Sequence, residues 1–83
     1  MHVPTILRID GLRVVIYPGD HTPAHVHVIG EGCEAVFQLG APDGNVALRE
    51  NYGFAARRIR TIRAALMRHR ERLTEAWRHY HGE

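Results

Sequence analysis

At 83 residues the chain makes one domain near the lower limit for an independent core, so a second copy or a heteromeric partner is expected to add buried surface. A hydrophobic content of 45% with 24% charged residues excludes a disordered chain and indicates a globular one. The 11 basic residues, all arginine, leave a formal charge of only +2, which permits contact with RNA or DNA but excludes a dedicated polyphosphate-binding surface.

The first residues, Met1-His2-Val3-Pro4-Thr5, lack the apolar run of a signal peptide, and nothing approaches the ~20 apolar residues of a membrane span. A cytoplasmic, membrane-free protein is expected. A lone Cys33 offers neither an internal disulfide nor a zinc-ribbon pattern and reads as a turn-edge residue.

In chain order, Thr5 to Ile9 alternates weakly and ends at Asp10-Gly11, a strong turn dipeptide. Leu12 to Tyr17 comes next, rich in β-branched and aromatic residues, so the two segments predict a hairpin. Pro18-Gly19 stops the second strand, and the connection to Pro23 carries Asp20 and His21. Ala24 to Ile29 reads as a strand with His25 and His27 on one side and Val26 and Val28 on the other. After Gly30-Glu31-Gly32, the run Glu34 to Leu39 has a cleaner period of two and pairs back on the histidine strand.

Register decides where the imidazoles lie. A turn of even length sets His27 opposite Val36 and His25 opposite Gln38, leaving Val26, Val28, Ala35, Phe37 and Leu39 to share the core face. An odd loop would place both histidines against Ala35 and Phe37, so patterning favours the even one. The histidines then face away from the core beside Glu34 and Gln38, and Arg13 and Tyr17 join them if Leu12, Val14 and Ile16 point inward.

Ala41-Pro42-Asp43-Gly44-Asn45 is a turn cluster, Val46 to Leu48 a short edge strand, and Asn51 is placed to cap the helical segment after it. From Phe54 onward Ile59, Ile62, Leu66, Leu73, Trp77 and Tyr80 form one helical stripe. No Pro or Gly interrupts Phe54 to His81, so one long helix fits, as do two helices with a break near Met67 to Arg70 that folds the segment over a small sheet. Gly82 supplies the stop. The expected fold is α+β: a three- to four-stranded antiparallel sheet followed by a C-terminal helical segment, one long or two helices, packed on one face. Residues 1–83 form a single domain.

The chemistry concentrates in Asp20-His21-Thr22-Pro23-Ala24-His25-Val26-His27-Val28, which holds three of the seven histidines. Three readings stay open. His25 and His27 are polar residues on a solvated or partner-covered face; or they form the acid and base of a ribonuclease that needs no cofactor, with Arg13 neutralising the phosphorane and His21 and Asp20 in support; or they join His21 or Asp20 as ligands of zinc or another divalent transition metal. Turn formation is the first expectation for Asp20. The arginines of the helical segment are expected to be a solvated face before an RNA-contacting one.

Pro4-Thr5-Ile6, Arg8, Gly11, Arg13 and Tyr17, the Asp20 to Val28 stretch, Ala35-Val36, Leu73, Trp77 and His81-Gly82 together resemble the DUF4160 family of small bacterial proteins over nearly the whole chain. Ala24 departs from it, since the family often has a second proline there, and affects only turn rigidity. The resemblance implies a toxin and antitoxin context, with a protein of another small family, DUF2442, as the cognate antitoxin partner. It implies no settled activity.

Overall fold

The computed structural model describes residues 3–41 and 43–82; Met1, His2 and Pro42 of the segments above lie outside them. Five strands and two helices succeed one another: β1 (Thr5–Ile9), β2 (Leu12–Val15), β3 (His25–Gly30), β4 (Cys33–Gln38), β5 (Ala47–Tyr52), α1 (Ala56–Arg68) and α2 (Arg70–His81). The strands form one antiparallel sheet in chain order. The class is the expected α+β, but the sheet has five strands rather than three to four.

The extra extent lies in β5. The polar run Arg49-Glu50-Asn51-Tyr52 continues the strand because β4 supplies hydrogen bonds on one side and solvent takes the other, so nothing enforces an apolar alternation. Asn51 consequently lies within the strand, one residue before its end, instead of capping the helix. Its side chain accepts from the Phe54 amide at 3.1 Å and donates to the Phe54 carbonyl at 2.8 Å, bending the chain into α1. Ala55, at the N-cap, contributes no side-chain bond.

The β3 to β4 register is the even one, with His25 opposite Gln38 and His27 opposite Val36. Leu12, Val14, Ile16, Val26, Val28 and Phe37 therefore share a buried face, closed by Ile59, Ile62, Leu66, Leu73 and Trp77. Tyr80, in phase with that stripe, is 38% exposed, so the core ends at Trp77.

The helical segment breaks at His69, between the two helices. At one end of the sheet Arg58 on α1 bonds the Asp10 carbonyl and Glu31 in the hairpin turns. At the other, Arg70 and Arg72 on α2 bond the carbonyls of Gly44 and Ile6. The first helix thus runs along the core face, and the second crosses the end where β3 begins. A straight helix would carry Leu73 and Trp77 past the sheet; the break returns them to it, at 0% and 1% exposure. Gly82 closes α2 in the left-handed region at φ 70°. Among the described residues no helix is long and apolar enough to cross a membrane.

Candidate functional site

The alternation of β3 aims His25 and His27 away from the core, and their ring centroids lie 5.3 Å apart. The preceding connection turns back at Asp20, whose amide bonds the Tyr17 carbonyl at 2.9 Å. That turn brings the Asp20 carboxylate over the strand instead of leaving it to cap backbone amides. Its Oδ2 stands 2.8 Å from Nε2 of His25 and 3.0 Å from Nε2 of His27.

The other nitrogen of each ring fixes the proton arrangement. Nδ1 of His25 lies 2.9 Å from the Pro23 carbonyl, which can only accept, so Nδ1 carries a proton. Nδ1 of His27 lies 2.8 Å from Glu34 Oε2, and the same argument holds for an ionised carboxylate. Each neutral ring then turns an Nε2 lone pair toward Asp20. Two lone pairs and a carboxylate oxygen meeting at one point repel unless the rings take up two further protons or a cation lies between them.

The three donor atoms lie within 4.8 Å of one another. The rings are sheltered, with side chains 17% and 16% exposed. Tyr17 covers His27 edge-on at a centroid distance of 4.5 Å, and Trp77 reaches His25 at 5.2 Å. Behind Trp77, His81 stacks at 3.6 Å and donates Nδ1–H to the Trp77 carbonyl at 2.9 Å. The site is backed by the core rather than laid on a mobile surface. Burial pushes the Asp20 carboxyl up, but hydrogen bonds from His27 and His25, with the attraction of both rings, outweigh it and hold the group below its ordinary value.

Among the residues expected from sequence, Asp20, His25 and His27 converge. His21 stands outside that group, on the wall of a cavity of about 190 Å³ beside His25. Arg13 lies on the same face, but its Nε donates to Thr5 Oγ1 at 3.1 Å. Glu34 and Trp77 take parts that the sequence does not assign them. Parity already sets Glu34 beside the histidines, whereas the Trp77 contact depends on the helix break.

Residues 11–78 match the DUF4160 family, described as a domain of unknown function. No curated protein and no solved structure matches the chain.

Proposed function

The chain belongs to the DUF4160 family, a domain without an assigned activity, and from the geometry of its histidine face we propose that it binds a divalent transition metal through His25, His27 and Asp20. The observation that carries this reading is the pair of Nδ1 bonds, to Pro23 and Glu34. They orient both Nε2 lone pairs on one point, as outer partners do for ligating histidines. Two imidazoles and one carboxylate suit zinc, iron(II) or cobalt(II) over the harder magnesium and calcium ions.

Three protein ligands leave coordination positions open, which is the arrangement of a reactive metal site rather than a closed structural one. Bound zinc supplies a hydroxide nucleophile by lowering the pKa of its water to about 7. In that setting Asp20, His25 and His27 hold the ion, Glu34 and the Pro23 carbonyl lock the rings, and Tyr17 and Trp77 shield them from bulk water.

The metal-independent ribonuclease reading asks more of the same atoms. Both Nε2 atoms are committed to Asp20 and the Arg13 Nε to Thr5, so neither ring offers a free nitrogen to a substrate hydroxyl. Metal binding draws on the same three side chains, whose donor atoms already lie within 4.8 Å of one another.

Cobalt(II) titration of the purified protein tests the proposal. One equivalent should bind and give visible d–d bands, and Asp20→Asn and His25→Ala should lose it while keeping the parent circular dichroism spectrum. A folded parent that takes up neither cobalt nor zinc at stoichiometric concentration overturns the reading.

A further inference from the structure

The ladder between β4 and β5 holds one residue too many. Val36 pairs with Glu50 and Phe37 with Leu48, so Arg49 has no partner on β4. Consecutive residues of a regular strand point to opposite faces, but a bulge breaks the alternation and re-aims a side chain. Arg49 and Glu50 accordingly line the same cavity, that of about 190 Å³, over Val36 and facing His21, Thr22 and His25.

The cavity adjoins the proposed ligand set at two points. His25 belongs to both, and Val36 on the floor is the direct cross-strand neighbour of His27. Among its lining residues Arg49, Thr22 and His21 carry hydrogen-bond donors. Arg49 gives one N–H to Gln38 Oε1 at 3.0 Å and forms no ion pair among the described residues, so its remaining N–H groups are available. Glu50 accepts the Tyr52 hydroxyl and stands on the same rim. The cleft is open, with Arg49 and Glu50 both exposed, and a single small anionic group can sit against the guanidinium on the side away from Glu50.

We propose that this cavity is the substrate subsite of the metal centre and takes a small molecule through one oxyanion, a phosphate or carboxylate group, gripped by Arg49. The inference rests on the metal reading of Asp20, His25 and His27. A guanidinium fork matches the paired oxygens of either group. Held there, the group would lie beside His25, one of the three proposed ligands.

The test uses the cobalt-loaded protein with inorganic phosphate and acetate as separate probes, monitored by ³¹P and ¹³C linewidths. The paramagnetic ion should broaden at least one resonance saturably, and the stronger effect identifies the oxyanion class. Arg49→Gln should keep one equivalent of cobalt and raise the half-saturating concentration of that probe about tenfold or more, the size of a lost charge-assisted hydrogen bond. A parent that binds cobalt but broadens neither probe overturns this inference alone, as does an Arg49→Gln variant that binds the probe as the parent does. A parent that takes up no cobalt overturns the metal reading, and this one with it.

Discussion

Glu34, on β4, holds Nδ1 of His27, on β3, at 2.8 Å, and by accepting the Nδ1–H hydrogen bond sets Nε2 as the nitrogen facing Asp20. The strand pairing imposes this relationship, because both residues project from the same face of the hairpin. Glu34→Ala frees the ring to rotate and change tautomer. It should weaken metal binding about 10- to 100-fold, measured by competition with a chromophoric chelator. Glu34→Gln keeps an accepting oxygen and should fall between that variant and the parent; equal affinity in all three proteins would make Glu34 a bystander.

The acid limb of stability should carry the mark of Asp20. In the metal-free protein His27 and His25 hold its carboxyl below the ordinary value, which is about 3.9 in an unfolded chain. A folded-state pKa below the unfolded one contributes stability that is fully present above the unfolded value and is lost as pH falls through the folded one. Thermal melts with excess chelator should therefore lose stability below about pH 4, and Asp20→Asn should lose less of it. Asp43 is also lowered, by the Asn45 amide and then by the Asn45 side chain, so a residual slope should survive in Asp20→Asn and shrink in Asp20→Asn with Asp43→Asn. Parallel acid limbs in all three proteins would contradict the assignment.

How far the fold and site are legible in the sequence depends on whether a period governs the element. His25, His27 and the facing Val26 and Val28 fall where expected because burying one face leaves one register open between β3 and β4. The helix break near Met67 to Arg70 comes from fitting a long stripe onto a small sheet, and it falls at His69. By contrast Arg49-Glu50-Asn51 has no apolar period, and its strand rests on backbone pairing with β4, so the sequence alone makes the fifth strand too short. The unpaired Arg49 exists only as an offset between two strands, which neither shows by itself. Asp20 reads as a turn former because its local sequence favours that; its engagement with the two rings depends on how the connection folds back over β3.

Trp77 should prove the side chain that joins core and site. At 1% exposure it closes the apolar cluster while its ring reaches His25 at 5.2 Å. Trp77→Ala should cost ~3–5 kcal/mol, the range for deleting a buried Phe or Trp side chain, read from urea unfolding with a fixed m-value. Trp77→Phe retains much of the apolar volume and should cost less. If the two variants unfold at the parent midpoint, α2 does not pack as described.

Metal binding and folding should be coupled through the same three side chains. An ion that binds the folded site and not the unfolded chain stabilises by RT ln(1 + [L]/Kd), about 2.7 kcal/mol at a hundred times Kd. Zinc at that excess should raise the parent melting temperature, and chelator should return it to the starting value. His27→Ala removes one Nε2 donor but leaves Asp20 and Glu34, 31% and 39% exposed, within reach of water. Its metal-free stability should therefore stay within about 1 kcal/mol of the parent's, while the increment from zinc disappears. Imidazole nitrogens must be unprotonated to hold the ion, so the increment from zinc should shrink as pH is lowered, read from melts at several pH values. A zinc-induced rise that persists undiminished in His27→Ala would move the binding site elsewhere on the chain. A parent whose melting temperature ignores both zinc and chelator would overturn the metal reading of the histidine face.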